Sequence, residues 1–280
     1  MSNLELGLSG CKIEKISDHV IRKTSKDINY NNRLLKQINK QLEFLKTNKL
    51  FFTPKIINVC KDDLFYFDME YSSGKNYSQF FDHCDIKEIK NFENVLSSYL
   101  RSNLEDGNLI NKSEAEEIFI NKLTQLRDNS KYELLINNII QNISSLNLNN
   151  IPKSFCHGDL SLSNILFDKN FVLIDFLDSF VDTPLVDIAK LKQDLYYYWC
   201  LKTQDIQSTR IKIIFSYLWY NIDNNFSKYT HSHAFELIDF INLLRIEPYV
   251  SQQNEKILRD CIESHQYYVN FNNSNGRIIQ

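Results

Sequence analysis

Apolar and polar residues alternate in two short runs between Cys11 and Ser25, broken at Ser17-Asp18-His19, and this period of two predicts an antiparallel hairpin. From Asn32 to Leu45 the spacing changes: Leu34, Leu35, Ile38, Leu42 and Leu45 recur every three or four residues, the mark of an amphipathic helix. Pro54 then opens a new segment. Ile56 to Val59 and Leu64 to Tyr71 flank the turn residues Lys61-Asp62-Asp63 and predict a second hairpin. The opening order is therefore strand, strand, helix, strand, strand.

Beyond Gly74 the apolar spacing is helical from Phe80 to Leu104 and from Glu114 to Leu146, until Pro152 interrupts it. A boundary near residues 72 to 75 is expected, with a small β-rich lobe over 1–72 and a larger helical lobe over 73–280. Within the helical lobe, residues 154–182 stand apart: Asn164 to Phe167 and Phe171 to Phe176 flank Asp168-Lys169-Asn170 and read as a short hairpin. Leu185 to Tyr268 is helical again and rich in Tyr, Phe and Trp. The fold class is α+β.

Size and composition set bounds. A chain of 280 residues, 43% hydrophobic and 24% charged, is a globular protein able to bury a core without disulfides. A formal charge of −3 lacks the basic footprint of a nucleic-acid binder, so no nucleic-acid partner is expected. The six cysteines show no C-x-x-C and no close Cys/His pairing for zinc, and read as free thiols. Met1 to Gly10 lack a basic segment followed by an apolar one, and no apolar run approaches the roughly 18 residues that span a bilayer. The expectation is a cytoplasmic protein with no membrane partner.

The chemistry concentrates in His157-Gly158-Asp159-Leu160-Ser161-Leu162-Ser163-Asn164, which fits H-x-D-x-x-x-x-N, with Ile174-Asp175-Phe176 following. Phosphoryl transfer explains the spacing. An Asp accepts a substrate hydroxyl proton, an Asn five residues on binds Mg2+, and an Asp on the neighbouring strand binds Mg2+ that bridges phosphates. Oxygen donors suit that ion, which takes one or two carboxylates together with phosphates and water. Taken singly, Asp159 reads as a turn cap, Asn164 as a loop residue and Asp175 as the start of a turn. Jointly they favour a site, because Asp175 lies in the apolar run Phe171-Val-Leu-Ile-Asp-Phe176 and a carboxylate there needs a cation.

HGDLSLSNILF, then LIDF, then Asp187-Ile188-Ala189 resembles the aminoglycoside phosphotransferase and choline kinase superfamily. Glycine between His157 and Asp159 marks that group, where ordinary protein kinases usually carry arginine. The resemblance implies a two-lobed protein-kinase-like fold: a small antiparallel sheet with one helix, then a larger, mainly helical lobe. It implies ATP and Mg2+ as cofactors, Asp159 as catalytic base, and Asn164 and Asp175 as metal ligands. His157 and Asp187 would support the catalytic loop.

The same resemblance places an ATP-phosphate lysine on a small-lobe strand, where Val20-Ile21-Arg22-Lys23 stands. Lys23 is favoured and Arg22 is the alternative, since neighbours on a strand face opposite ways. The usual glutamate partner on the first helix is missing; Gln37 and Gln41 lie near its place. The phosphate-covering loop is reduced to Gly7-Leu8-Ser9-Gly10. Met69-Glu70-Tyr71-Ser72 resembles the hinge that binds adenine, with Met69 lining the pocket and Glu70 and Ser72 using backbone groups.

Only eleven residues separate Asp175 from Asp187, too few for the activation segment that presents a peptide substrate. The expected acceptor is therefore a hydroxyl on a small molecule: a sugar or polysaccharide precursor, an amino alcohol or an aminoglycoside. Asp178 is either a substrate contact or a solvated turn residue, and Asp239, Glu236 and Glu247 are the acids available to a cationic acceptor. The aromatic group Tyr196 to Trp199 reads as core before pocket wall. The missing glutamate and thin glycine loop support an alternative: a nucleotide-binding pseudokinase or partner-binding module without turnover.

Overall fold

The computed structural model describes residues 11–105, 107–267 and 270. Gly7 to Gly10, the expected phosphate-covering loop, lie outside them. In chain order the elements are β1 (Lys12–Ser17), β2 (Val20–Thr24), α1 (Asn31–Thr47), β3 (Ile56–Cys60), β4 (Tyr66–Glu70), α2 (Tyr77–His83), α3 (Ile86–Glu105), β5 (Asn108–Ile110), α4 (Lys112–Arg127) and α5 (Glu133–Asn142). There follow β6 (Ile151–Lys153), β7 (Ile165–Phe167), β8 (Phe171–Leu173), α6 (Pro184–Leu195), α7 (Trp199–Thr203), α8 (Thr209–Asn225), α9 (Ser227–Thr230), α10 (His233–Leu244) and α11 (Glu255–Ser264). These form two compact units: the chain to Tyr99 together with His157–Ser179, and Leu100–Cys156 together with Phe180 onward.

In the first unit the two predicted hairpins join in one antiparallel sheet of order β1-β2-β4-β3. α1 buries Leu34, Gln37, Ile38, Gln41 and Phe44, a stripe with helical period. Leu34 and Ile38 pack with Cys11, Tyr30, Phe67 and Met69 into one apolar cluster. A second, aromatic core forms around the β7–β8 hairpin, where Phe80 stacks on Phe167 at 4.4 Å and Phe92 and Phe171 meet at 5.1 Å. The β7–β8 hairpin is thus anchored by its own phenylalanines.

β8 ends at Leu173 rather than running to Phe176. Asp175 has φ +60°, a left-handed conformation that a strand cannot contain, and the Ile174 N–H turns to the Asn164 carbonyl at 3.0 Å. In the second unit, β5 falls in the gap between the two expected helical stretches, Phe80 to Leu104 and Glu114 to Leu146, and pairs with β6 through Asn108↔Lys153, Leu109↔Pro152 and Ile110↔Ile151. Three-residue strands are too short to register as a period of two, and Pro152 lacks the N–H that a longer ladder would need. α6 starts after the Thr183 cap with Pro184 in its first turn, and α10 is buried over nearly all its length.

Candidate active site

Two backbone clasps hold the β7–β8 hairpin. Phe52 donates its N–H to Phe171 O at 2.9 Å and accepts from Leu173 N–H at 2.8 Å, while Lys75 and Phe167 exchange both their hydrogen bonds at 2.8 Å. The second clasp needs Gly74: a Cβ there would stand 3.0 Å from the Leu166 Cβ and 3.3 Å from Phe167 N. A rigid platform results, and the motif residues lie at its end.

The Asp159 turn is built by short-range hydrogen bonds. Ser161 N–H donates to Asp159 O at 2.7 Å, and Asn164 N–H to Ser161 O at 3.0 Å. The Asn164 amide then donates to Asp159 O at 2.8 Å and to Asp159 Oδ2 at 3.0 Å. Asn164 thereby orients the carboxylate and turns its own side-chain oxygen away from it. Gly158 has φ +85°, and a Cβ there would stand 2.2 Å from Leu177 O, so no other residue fits.

His157 ties this turn to the Asp175 segment. It is fully buried; its Nε2 lies 3.0 Å from Ile174 O and its Nδ1 accepts from Asp159 N–H at 3.2 Å. A carbonyl only accepts and an amide N–H only donates, so Nε2 carries the proton and Nδ1 the lone pair. Both contacts are satisfied by the neutral ring. Burial pushes its pKa down to about 4, against the weaker pull of Asp159. His157 is a loop anchor, uncharged near neutral pH and with its one N–H committed to Ile174 O.

The two small-lobe cations turn to different partners. Lys23 and Arg22 stand opposite Phe67 and Asp68 on β4 and face opposite ways. Lys23 is 3% exposed; its Nζ donates to Gln37 Oε1 at 3.0 Å and forms an ion pair with Asp175. Arg22 instead makes a forked pair with Asp68, at 2.7 and 2.9 Å, and lies 3.8 Å over the Tyr66 ring. That guanidinium holds the Asp68 carboxyl below the usual range. Lys23 joins the motif residues and Arg22 does not. Gln37 takes the lysine-partner position, whereas Gln41 donates to Pro54 O at 2.8 Å.

Contacts from α1 that the sequence pattern leaves unread complete the site. Lys40 Nζ donates to Leu177 O at 3.0 Å, the carbonyl that presses on Gly158, and the Leu177 N–H donates to His157 O at 3.0 Å. The Leu177 peptide therefore pins the Asp159 turn to the Asp175 segment. Lys36 pairs with Asp178 at 2.8 Å, which gives that acid an internal partner. Lys36 and Lys40 sit one helical turn apart, a spacing that reads equally well as a solvated charged face.

The donor set suits a hard cation. Asp175 has a side chain 37% exposed, and its carboxylate already faces the Lys23 ammonium. Asn164, whose side-chain oxygen is turned from Asp159, is linked to the same segment through Ile174. Two such oxygens leave room for phosphate and water in a Mg2+ shell.

Met69, Glu70 and Ser72, expected around adenine, lie at and just beyond the end of β4. Met69 is buried in the α1 cluster, Glu70 accepts from Lys55 N–H with its carboxylate at 3.0 Å, and Tyr71 N–H donates to His19 O at 2.8 Å. Ser72 follows, beyond β4, half-buried. In the second unit Asp187 is fully buried in the first turn of α6. Of the acids considered for a cationic acceptor, Asp239 is fully buried and Glu247 accepts from Ser130 Oγ and Lys131 N–H. In the aromatic group, Tyr197 is core while Tyr196 is 53% exposed.

Residues 105–213 match the model of the phosphotransferase enzyme family, APH, a span that includes the whole motif. No curated protein matches the sequence. Among solved structures, the ternary complex of streptomycin, ATP and APH(2")-IIa superposes with a TM-score of 0.56 at 17% identity, over 92% of this chain and 93% of that one. ADP-bound APH(2'')-Ib, an aminoglycoside phosphotransferase, gives 0.55 at 17% identity, over 95% and 93%. A choline/ethanolamine kinase family protein from Mesorhizobium loti gives 0.53 at 11% identity, over 96% and 89%. The phosphotransferase family model thus accounts for the span that carries the motif, and over nearly the whole chain the fold is the one that these phosphotransferase and kinase structures share.

Proposed function

We propose that this chain is an ATP- and Mg2+-dependent phosphotransferase acting on a hydroxyl of a small molecule. The observation that carries the reading is the convergence, within one compact unit, of Asp159, Asn164, Asp175 and Lys23. Residues 1–72 would bind the nucleotide, with Met69, Glu70 and Ser72 around adenine, and residues 73–280 would hold the catalytic loop and the acceptor. The acceptor hydroxyl attacks the γ-phosphorus, the bond from that phosphorus to the bridging oxygen breaks, and the hydroxyl proton passes to Asp159. Asn164 holds Asp159 in line. Lys23 would meet the phosphates, and Asn164 and Asp175 would hold the metal, which would supply neutralisation of phosphate charge.

A sugar or polysaccharide precursor, an amino alcohol and an aminoglycoside are the acceptor classes to test. The internal commitments of Asp239 and Glu247 weaken the case for a polycation held by those acids. Six free cysteines support a reducing, cytoplasmic setting. The test is ATP consumption with Mg2+ across a panel of these acceptors, beside Asp159→Ala. Turnover that vanishes in the folded variant supports the reading; equal turnover in both overturns it. Mg2+-dependent ATP binding with no transfer to any acceptor would favour the pseudokinase alternative, which the neutral Gln37 supports.

A further inference from the structure

A buried ammonium needs an anion or a full set of acceptors, and the identity of that anion decides what else the site can bind. Among the described residues the one carboxylate in contact with Lys23 is Asp175, the acid read above as a metal ligand. Gln37, its other partner, is neutral, 2% exposed and fixed: its Nε2 donates to the Tyr30 hydroxyl at 3.2 Å, which keeps Oε1 on Lys23. An acid at position 37 would neutralise Lys23 permanently and leave Asp175 open to solvent cations. With Gln37 in place, taking Lys23 off Asp175 strands a buried ammonium on a neutral amide.

We propose that Lys23 is a built-in counter-ion that keeps a divalent metal off Asp175 until nucleotide phosphates arrive, and that the neutral Gln37 makes this exclusion possible. The proposal rests on the phosphotransferase reading of the same residues. Phosphates give Lys23 a new anionic partner, Asp175 is released, and the metal enters as a complex with the nucleoside triphosphate. Because coupling between two ligands is reciprocal, nucleotide tightens metal binding by the same factor as metal tightens nucleotide binding. Gln37 is a positioning residue in this scheme, acting through Lys23.

Mn2+ serves as the probe, followed by electron paramagnetic resonance on the full chain with and without a non-hydrolysable ATP analogue. Wild type is expected to bind Mn2+ weakly alone and at least about tenfold more tightly with the analogue, a coupling of about 1.4 kcal/mol. Lys23→Met and Gln37→Glu should each tighten nucleotide-free binding, by about tenfold and about threefold, and adding Asp175→Asn to Lys23→Met should remove the gain. Equal nucleotide-free binding by wild type and both variants, weak or tight, overturns the proposal. Thermal unfolding of each variant checks that it is folded. If wild type neither binds the analogue nor turns over ATP, the phosphotransferase reading fails, and the nucleotide-free comparison still decides the counter-ion.

Discussion

Each compact unit contains a lysine–aspartate pair at its heart, and the two are built to opposite ends. In the second unit Lys192 meets Asp239 at 2.6 Å; Tyr197 donates to the same oxygen at 3.0 Å and His265 Nε2 lies 3.3 Å away. Asp239 is fully buried, and the rings of Tyr196, Tyr197, Trp219 and Phe235 surround the Lys192 ammonium at 5.5 to 5.9 Å. Burial pushes the Asp239 carboxyl up, but Lys192 and His265 outweigh it and hold it below the usual range. In the first unit the lysine is the buried partner and Asp175 is 37% exposed at its side chain. An anion shared among three donors and sealed from water is a fixed part of the core. One with a single cationic partner and a partly exposed side chain is open to exchange of that partner.

Breaking each pair should therefore produce different losses. Asp239→Asn leaves Lys192 without its buried anion, and denaturant unfolding should show a loss of about 3–5 kcal/mol. Asp175→Asn keeps an oxygen for Lys23 and admits water, so the same measurement should show less than about 2 kcal/mol, while turnover falls by at least about 100-fold. Equal destabilisation by the two would erase the distinction.

A second test sharpens the picture around the Asp159 turn. The folded pKa of His157, about 4, lies below the ordinary 6.5, so the protonated ring is disfavoured in the native state. Its contribution is present in full above pH 6.5 and is lost as pH falls toward 4, in total about 3 kcal/mol. Urea unfolding across that range should show the slope in wild type and a flatter profile in His157→Asn. The smallest effect is expected at Arg22→Met, where the partly exposed pair with Asp68 should cost about 1 kcal/mol or less. Nucleotide affinity should hold in that variant and fall in Lys23→Met; the reverse would reassign the phosphate contact.

The parts of this architecture legible in the sequence are those whose signal is local. Both small-lobe hairpins and α1 appear where the period of two and the period of three to four place them, and H-x-D-x-x-x-x-N marks the Asp159 turn. That Lys23 reaches Gln37 and Asp175 while Arg22 turns to Asp68 depends on which face of β2 meets α1, which the strand sequence by itself does not reveal. The clasps at Phe52 and Lys75 are backbone hydrogen bonds between distant segments and leave no trace in side-chain pattern. Lys40 escapes notice for a related reason: a lysine on a helix face looks the same whether it meets water or a carbonyl. The left-handed backbone of Asp175, in a residue other than glycine, ends β8 early with no compositional warning.

The paired clasps on the β7–β8 hairpin also bear on modularity. A chimera joined at residue 72 would take Phe52 from one parent and Lys75 from the other, so the hairpin would be flanked by segments of different ancestry. Residues up to Tyr99 and His157–Ser179 form one compact unit, and recombination that keeps them from one parent should yield folded hybrids more often than recombination at residue 72.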